Sequence, residues 1–329
     1  MAGNRSCGGE ILIHSHTIEV PHAVDAGTQI PVTTITGTHP GPVLALIAGN
    51  HGYEYPPILA LQELREHIDM GELAGTLILV HVANMPSFLG RTVYFSPVDG
   101  KNLNRVYPGQ ADGTVSQRIA YTITREVIEK ADFVLDLHCG DGNESLRPYV
   151  YQAVTGEAKM DAEVKRLALA FGIDHILIDR GRPTDPAQSL YCSTTAITRG
   201  KPAIVVESGA LGQCDVESVA QIVSGIRGVM RELGMTPQGP APVAAPVYLE
   251  PSAVVASPAT GILYPMVERD QVVAKGTVLV RITDFFGVDI ALVESPIAGK
   301  VLYVVGTPPI AKGQPVACVA TVVEQVGGR

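Results

Sequence analysis

The sequence predicts an α/β fold, with helices on both faces of a mostly parallel or mixed sheet, followed by a small C-terminal all-β domain. Over the first two-thirds of the chain, continuous apolar runs alternate with segments of helical period. A proline-rich stretch then interrupts the pattern, and valine-rich stretches between glycine and proline turns follow it. Runs that are apolar throughout are typical of strands buried on both faces, so helices are expected to cover both sides of the sheet.

Each element of the first two-thirds follows from its own pattern. Apolar runs predict buried strands at residues 43–48 (VLALIA), 77–82 (LILVHV), 133–137 (FVLDL) and 203–206 (AIVV). Apolar residues spaced three and four apart predict helices over residues 58–68, 115–127, 160–171 and 219–233. Thr114 is a candidate N-cap, and Gly172 and Gly234 are expected to end the last two helices. The alternation of strands and helices favours a parallel sheet.

Composition changes divide the chain into three parts. Residues 1–234 form the expected catalytic domain, and residues 235–246 (MTPQGPAPVAAP) form a linker with four prolines. Residues 247–329 are expected to form a small β sandwich or barrel. Two phrases recur there: SPATGI at 257–262 resembles SPIAGK at 295–300, and VAKG at 273–276 resembles IAKG at 310–313. A duplicated strand–turn unit would explain both repeats.

Charge and hydropathy exclude several classes of function. The chain carries a net charge of −9 and has no lysine/arginine cluster, so nucleic acid is not an expected partner. No apolar run reaches the ~18 residues of a membrane span, and residues 1–10 lack the features of a signal peptide. We therefore expect a cytoplasmic protein that does not bind membranes. The five cysteines are scattered, with no C-x-x-C pair, and are expected to be reduced.

Polar side chains follow three of the predicted strands. His51 and Glu54 lie after the first strand with H-x-x-E spacing, His138 follows FVLDL, and Glu207 follows AIVV. The carboxyl edge of such a sheet is where ligands bind, so these side chains are expected to converge. Two histidines and a carboxylate match the ligand sets of catalytic zinc sites, in which one coordination position stays open for water. Glu207 would then carry the proton from water to the leaving group.

The loop over residues 99–109 (DGKNLNRVYPG) adds polar groups between a strand and a helix. Arg105 offers a planar guanidinium that suits a substrate carboxylate or a developing oxyanion, and Asn104 is a neutral donor beside it. A turn with a solvated arginine is the alternative interpretation of this loop.

The motifs GNHGYE, NLNRVYPG, DLH and VESG, in this order, resemble the succinylglutamate desuccinylase/aspartoacylase family of zinc amidohydrolases, which is related to the zinc carboxypeptidases. The resemblance covers roughly residues 30–235. It implies a zinc carboxypeptidase-like fold and one zinc ion per chain, and a small N-acyl amino acid as substrate. It also implies a possible homo-oligomer and a role for each motif residue. The zinc ligands would be His51, Glu54 and His138; Glu207 would be the general base and acid; Asn104 and Arg105 would contact substrate; Arg91 would help to polarise the scissile carbonyl.

The chain departs from the family pattern at two positions, since Asn102 stands where members often have Asp and Tyr53 stands where they often have Asn. Two other functions stay open. A zinc carboxypeptidase-type peptidase would use the same metal and Arg105, and a metal- or ligand-binding protein without turnover would not need Glu207. His14 and His16 form H-x-H without a third ligand at a useful spacing, so an exposed strand is favoured there. Cys139 is favoured as a small buried residue rather than a ligand.

Overall fold

The computed structural model describes residues 12–323, which form seventeen strands and six α-helices. The strands are β1 (Leu12–Val20), β2 (Thr28–Thr36), β3 (His39–Ala48), β4 (Ala74–Val80), β5 (Phe133–Gly140), β6 (Glu144–Leu146), β7 (Tyr149–Val154), β8 (His175–Arg180), β9 (Ala203–Ala210), β10 (Val247–Ala256), β11 (Gly261–Pro265), β12 (Val272–Val273), β13 (Val278–Thr283), β14 (Asp289–Glu294), β15 (Gly299–Val305), β16 (Pro309–Ile310) and β17 (Pro315–Val323). The helices are α1 (Tyr55–His67), α2 (Met85–Gly90), α3 (Val115–Glu126), α4 (Ala158–Phe171), α5 (Cys192–Ile197) and α6 (Val216–Glu232).

The four strands predicted from apolar runs lie side by side. They form the parallel centre of a 13-stranded mixed sheet, in the order β4-β3-β5-β9. Strands β2 and β1 extend one side in antiparallel pairing, and β7 pairs antiparallel with β9 on the other side. The predicted α/β fold class is therefore confirmed, and the sheet is mixed.

Helices cover both faces of this sheet. One layer contains α1, α4 and α6, and the opposite layer contains α3 and α5. Along β3, Leu46 packs into the first layer and its neighbour Ile47 into the second, both fully buried. Because successive strand residues face opposite sides, a strand covered on both faces must be apolar at every position. This accounts for the unbroken VLALIA run.

Local signals fix the ends of several helices. The side-chain Oε1 of Gln117 accepts from the backbone N–H of Thr114 at 3.1 Å, which closes the first turn of α3. Helix α4 ends at Gly172, whose φ of 90° lies in the left-handed region that glycine adopts without a steric penalty. Both ends agree with the sequence-based prediction.

The C-terminal strands continue the main sheet and add a second one. Strand β10 pairs parallel with β8, and the sheet proceeds through β17 and β15 to β12. A separate four-stranded antiparallel sheet, in the order β14-β13-β11-β16, packs against it through a shared apolar core. The segment 235–246 lies against the helices, since Met235 is fully buried and the N–H of Val243 donates to Leu169 O at 3.0 Å. The boundaries at 234 and 247 stay predictions.

The two repeated phrases adopt the same turn. Ser257 Oγ donates to Ala259 O, and Ser295 Oγ donates to Ile297 O, each at 2.6 Å. Each serine carbonyl also accepts from a glycine N–H of the other phrase at 2.8 Å, from Gly313 for Ser257 and from Gly276 for Ser295. The matching contacts support the duplication inferred from sequence.

The described residues bear on two further points, membrane-spanning helices and the state of the cysteines. Between residues 12 and 323 no helix has the length and apolar character needed to cross a membrane. The four cysteines in this range are free thiols: Cys139, Cys192, Cys214 and Cys318. The fifth cysteine, Cys7, and the rest of residues 1–10 used for the signal-peptide prediction lie outside the described residues.

Candidate active site

The predicted site residues of the three central strands meet at one edge of the sheet. His51 and Glu54 lie in the turn between β3 and α1, and Glu54 is the residue that immediately precedes the helix. His138 lies in β5, and Glu207 is its register partner in β9. Strand β5 ends at Gly140 and β9 ends at Ala210, so His138 and Glu207 lie two and three residues before the ends of their strands. The convergence expected at the carboxyl edge is present.

Three potential ligand atoms converge at this edge. Glu54 Oε1 lies 2.8 Å from His51 Nδ1 and 2.6 Å from His138 Nδ1. All three side chains are buried, and one ligand atom from each lies within 4.8 Å of the others. Two imidazole nitrogens and one carboxylate oxygen are the donor set of His₂Glu zinc hydrolases. The residues present therefore fit a zinc ion.

The outer nitrogen of each imidazole has its own partner. His138 Nε2 lies 2.9 Å from Asp136 Oδ1, and His51 Nε2 lies 3.1 Å from Asn102 Oδ1. Such contacts fix the ring orientation and leave both Nδ1 atoms directed at Glu54 Oε1. Asn102 is one of the departures from the family pattern, and its amide oxygen supplies this contact where a carboxylate would add charge.

Asp136 connects the candidate metal-ligand cluster, which consists of His51, Glu54 and His138, to the residues around it. Its Oδ1 also accepts from Asn50 Nδ2 at 2.8 Å, and its Oδ2 accepts from the backbone N–H of Ser193 at 3.3 Å. Asp136 and Asn50 are fully buried. A buried carboxylate with several donors is held in one orientation, so Asp136 fixes His138 firmly.

The pKa values of Glu54, His51 and His138 depend strongly on one another's charges. Burial acts to raise the pKa of Glu54, but His138 and His51 outweigh it and hold that pKa far below its usual range. Burial likewise acts to lower the pKa of His138, while Glu54 and Asp136 raise it well above its usual value. The cluster thus favours an ionised Glu54 with positive charge beside it, and a bound cation would supply that positive charge.

Glu207 lies beside the cluster without a fixed partner. Its carboxylate is half-buried and makes no hydrogen bond to any residue between 12 and 323. Burial, together with the negative charges of Glu54, Glu144 and Asp136, raises the pKa of Glu207 well above its usual value, against the opposing effect of His138. A carboxyl group in this environment holds a proton more tightly than one in water.

The 99–109 loop brings one of its two candidates into contact with the cluster. Asn104 is buried; its Nδ2 lies 3.2 Å from His138 Nε2, and its Oδ1 accepts from the N–H of Cys192 at 2.8 Å. Arg105 is exposed, and its NH1 donates to the carbonyl of Asn104 at 2.7 Å. The Arg105 guanidinium lies 4.7 Å from the ring centroid of Tyr191 and faces no carboxylate in the described residues.

Arg91 is the predicted residue that contacts the cluster least. It follows α2 with a left-handed φ of 49°, and its side chain is exposed. No hydrogen bond or ion pair within residues 12–323 joins its guanidinium to the metal-ligand cluster. Its backbone lies nearby, because a Cβ on Gly52 would come within 2.4 Å of the carbonyl oxygens of Ser87 and Thr92. Gly52 is therefore required for the approach of this loop, and the role of Arg91 stays a prediction.

Several residues of the site were missed by sequence reasoning. Tyr94 stacks edge-on against His51 at a centroid distance of 5.9 Å, and its hydroxyl donates to Glu144 Oε1 at 2.5 Å. Asp141 accepts from the backbone N–H groups of Tyr94 and Tyr53 at 3.0 and 3.2 Å. Asp136 had a usable signal, because it precedes His138 by two residues and therefore faces the same side of β5. The contacts of Tyr94 and Asp141 join residues more than 40 positions apart, and no sequence pattern indicates them.

Two carboxyl groups that follow β5, Asp141 in the turn and Glu144 at the start of β6, have raised pKa values. Burial is the main cause in both cases: it raises the pKa of Glu144 to about 8 and the pKa of Asp141 to about 6. The negative charge of Glu54 adds to the shift of each residue. Together with Glu207 they are three acidic groups whose charges interact with the His51, Glu54 and His138 cluster.

Known proteins resemble this chain in sequence and in fold. The model of the succinylglutamate desuccinylase/aspartoacylase catalytic domain matches residues 40–233. The N-alpha-acetyl-L-2,4-diaminobutyric acid deacetylase of Halomonas elongata is 32% identical over 307 residues, which cover 91% of this chain and 87% of that protein. The product-bound structure of the ectoine utilization protein EutE (DoeB) from Ruegeria pomeroyi is 26% identical, with a TM-score of 0.83 over 96% of this chain and 97% of that chain. A succinylglutamate desuccinylase from Silicibacter sp. TM1040 shares the fold at 24% identity, with a TM-score of 0.83 over 98% of this chain and 100% of that chain.

Proposed function

The chain belongs to the succinylglutamate desuccinylase/aspartoacylase family of deacylases, and from that premise we propose that it is a zinc-dependent enzyme that hydrolyses the amide bond of a small N-acyl amino acid. The observation that carries the proposal is the buried convergence of His51 Nδ1, Glu54 Oε1 and His138 Nδ1, with Glu207 as the neighbour of His138 in the next strand. The substrate class is supported by the Halomonas relative, whose named substrate is an N-acetylated amino acid.

In this proposal three side chains hold the ion and two others orient them. His51, Glu54 and His138 are the ligands, while Asn102 and Asp136 contact the outer nitrogens of the two imidazoles. When bound, zinc supplies a Lewis acid for the carbonyl oxygen and lowers the pKa of a coordinated water to about 7. The chain itself must supply proton transfer and orientation of the substrate.

Glu207 performs the proton transfer. Its carboxylate accepts a proton from the attacking water as the water oxygen bonds to the acyl carbon, and it then donates that proton to the amide nitrogen as the C–N bond breaks. The acyl group leaves as a carboxylic acid and the amino acid leaves as an amine. The lack of a fixed hydrogen-bond partner suits this role, because the carboxyl group must alternate between its two protonation states.

Arg105, Asn104 and Arg91 orient the substrate. The guanidinium of Arg105 presents a planar pair of donors for the substrate carboxylate, and its stacking on Tyr191 limits its orientations. Asn104 offers an amide beside His138. Arg91 is proposed to help polarise the scissile carbonyl, which requires its exposed side chain to turn toward the site when substrate is bound.

Metal content and activity of matched histidine variants test the proposal. We expect His138→Ala to lose bound zinc and activity together, because it removes one of three ligands. His14→Ala is the control, since His14 is exposed on β1 and stacks on His16. Elemental analysis and acetate release from N-acetyl amino acids are the two measurements. Stoichiometric zinc in the His138→Ala protein would contradict the ligand assignment.

The same assay separates the alternative functions. A deacylase releases the acyl group from N-acetyl amino acids, whereas a carboxypeptidase-type enzyme releases the C-terminal residue from blocked dipeptides. A binding protein would take up zinc and a product amino acid without turnover of either class. Preferred cleavage of the dipeptides would replace the proposed reaction with peptide hydrolysis.

A further inference from the structure

Asn50 lies between the two candidate histidine ligands. It directly precedes His51 in the turn after β3, and it is fully buried. Its side-chain Nδ2 lies 3.5 Å from Nε2 of His138, which belongs to β5. The backbone of Asn50 therefore adjoins one ligand, and its side chain reaches the surroundings of the other.

The side-chain amide of Asn50 has a hydrogen-bond partner at each end. Its Nδ2 donates to Asp136 Oδ1 at 2.8 Å, and its Oδ1 accepts from the Tyr107 hydroxyl at 3.3 Å. A carboxylate oxygen accepts hydrogen bonds and cannot donate them. Rotation of the amide by half a turn would therefore place two acceptors, Asn50 Oδ1 and Asp136 Oδ1, against each other. The contacts hold the amide with its donor toward Asp136.

Tyr107 is held in place on the other side of this amide. Its side chain is buried, and its backbone N–H and carbonyl both bond to Leu190, at 3.2 and 2.9 Å. Burial, with smaller effects of Cys192 and Asp136, raises the pKa of the Tyr107 phenol well above its usual value, so the hydroxyl keeps its proton. The Cys192 thiol also lies beside this hydroxyl, but a thiol is a weak hydrogen-bonding group. The amide oxygen of Asn50 is the stronger acceptor for the Tyr107 proton.

Asp136 Oδ1 is shared between Asn50 and His138. It lies 2.8 Å from Asn50 Nδ2 and 2.9 Å from His138 Nε2. The backbone N–H of Ser193 lies farther away, at 3.3 Å from Oδ2, so Asn50 makes the shorter of these two contacts that orient the carboxylate. When Nε2 of an imidazole donates its proton to a carboxylate, the lone pair of Nδ1 is left for a metal ion. The position of Asp136 Oδ1 thus decides how His138 presents Nδ1 toward Glu54.

We propose that Asn50 is a positioning residue of the metal site: it acts through Asp136 to hold the His138 imidazole with Nδ1 available to the ion, and the Tyr107 hydroxyl fixes the Asn50 amide in the orientation that this requires. The inference rests on the proposed function, because it takes His138 as a zinc ligand. Neither Asn50 nor Tyr107 touches the ion or the substrate in it. The two residues connect the 99–109 loop to a ligand of the metal.

Metal binding by two variants tests the inference without turnover. Asn50→Ala removes the amide, and we expect the zinc affinity to fall about 10-fold, because a hydrogen bond to a charged group contributes more than one between neutral groups. Tyr107→Phe keeps the ring and the backbone bonds to Leu190, so loss of its hydroxyl should lower the affinity only about 2- to 5-fold. Competition with a chromophoric chelator measures both affinities. The visible absorption bands of the cobalt-substituted protein report the ligand geometry, and they should shift in the same direction in both variants.

A double variant separates positioning from a general loss of packing. Because the Tyr107 hydroxyl acts through the Asn50 amide, the protein that carries both Asn50→Ala and Tyr107→Phe should bind zinc no more weakly than Asn50→Ala alone. Two independent structural defects would instead add their effects on the affinity.

Two buried positions away from the metal-ligand cluster supply matched controls. Thr33→Ala truncates a buried polar side chain on β2, and Tyr248→Phe removes the hydroxyl of a buried tyrosine on β10. Both proteins should keep the zinc affinity and the cobalt spectrum of the parent.

The outcomes distinguish the inference from the function on which it rests. Parent-like zinc affinity and cobalt spectrum in Asn50→Ala or in Tyr107→Phe would overturn the positioning role, and so would losses that add in the double variant. Tyr107→Phe differs from the parent by one oxygen atom, so it tests the role even if Asn50→Ala does not fold. These results would leave the zinc-dependent deacylase intact. A parent protein that takes up no zinc would overturn the proposed function and the inference with it.

Discussion

Asp136 makes three contacts from a fully buried position, and one of them sets the orientation of His138. Loss of such an outer contact to a ligating imidazole typically weakens metal binding 10- to 100-fold. We expect Asp136→Asn to weaken zinc affinity by about this factor, because the amide contributes no charge to the imidazole. Competition with a chromophoric chelator measures the affinity.

Asp132→Asn is the matched control for that variant. Asp132 lies just before the same strand at an exposed position, and it accepts from the backbone N–H of Val43 at 2.8 Å. The zinc affinity of the Asp132→Asn protein should equal that of the parent. If Asp136→Asn also binds zinc like the parent, the orientation of His138 does not depend on this carboxylate.

Glu207 decides whether the site performs chemistry or only binding. Glu207→Gln keeps the size of the side chain but removes its ability to accept a proton, and general acid–base assistance typically contributes ~10²–10⁴-fold. We expect kcat to fall by about that factor, with zinc content and product affinity close to those of the parent. Steady-state kinetics and elemental analysis check this. Loss of zinc would make Glu207 a ligand, and an unchanged kcat would assign the proton transfer to another carboxylate.

At the scale of elements, the site depends on two loops that are joined to each other. Tyr107 and Leu190 form a two-bond backbone bridge, with N···O distances of 3.2 and 2.9 Å, between the 99–109 loop and the loop after β8. Asn104 adds the side-chain bond to the N–H of Cys192. The loop after β8 therefore reaches the substrate-binding residues, and Tyr191 lies where it meets Arg105.

Tyr191 is expected to act on substrate affinity through the arginines stacked on it. A cation–π contact contributes roughly 0.5–2 kcal/mol, so Tyr191→Ala should raise KM about 2- to 30-fold with a smaller change in kcat. Tyr191→Phe keeps the aromatic face and should restore the parent KM. Kinetics of the two variants, with zinc content measured in each, test this. Equal KM values in Tyr191→Ala and the parent would show that the stacking does not position Arg105.

How far the sequence predicts this molecule depends on the range of the contacts involved. Strands β3, β5 and β9 are buried on both faces, so their apolar runs identify them, and strand ends at a common edge identify His51, Glu54, His138 and Glu207 as neighbours. Strands β2 (TQIPVTTIT) and β8 (HILIDR) mix polar residues with apolar ones, and no run marks them. Strand β2 is positioned by its pairing with β1 and with the more distant β4, and β8 is positioned by its pairing with β7 and with the more distant β10.

The same limit applies within the site. The two predicted ligands of the turn before α1 are three residues apart, so their spacing can aim both side chains at one point, and the strand end at His138 adds the third. The contact between Asn102 and His51 spans 51 residues and the one between Tyr94 and Glu144 spans 50. Contacts of this kind depend on how the loops cross at the sheet edge, which local periodicity does not encode.

At the scale of the whole molecule, the C-terminal region is built into the body that carries the site. Strand β6, which begins with Glu144, pairs antiparallel with β15. Leu146 and Tyr149 of the body share one buried core with Leu302 and Cys318 of the C-terminal strands. The C-terminal strands therefore support the segment that carries Glu144, even though none of them supplies a ligand to the metal-ligand cluster.

A polar junction also joins the two regions. Arg147, which follows β6, donates to Asp174 at 2.8 Å and to Asp270 of the C-terminal region at 3.0 Å. Lys300 donates to the same Asp270 at 2.7 Å. His175 lies in the middle of these charges: its Nδ1 is 2.9 Å from Arg147, and its buried Nε2 has no hydrogen-bond partner in the described residues.

His175 makes the stability of the molecule depend on pH. Burial lowers its pKa, and the positive charges of Arg147 and Lys300 add to that effect against the opposing contact with Asp174. The folded protein therefore holds His175 neutral at a pH where the unfolded chain, with a histidine pKa near 6.5, already binds a proton. Because the unfolded state binds more protons at this residue, the contribution of His175 to the free energy of unfolding falls as the pH falls below about 6.5, by at most ~1.4 kcal/mol per pH unit.

His175→Gln removes this titration and should make the decline shallower. Urea unfolding of the zinc-loaded protein at several pH values between about 7.5 and 5 measures the slope, and the difference between parent and variant isolates His175 from the other histidines. His22→Gln, at an exposed position before β2, should keep the slope of the parent. An equal slope in the His175→Gln protein would mean that the junction accommodates a protonated imidazole, with Asp174 and Asp270 neutralising the added charge. A shallower slope would assign this part of the acid destabilisation to His175, at the junction where the C-terminal strands join the body.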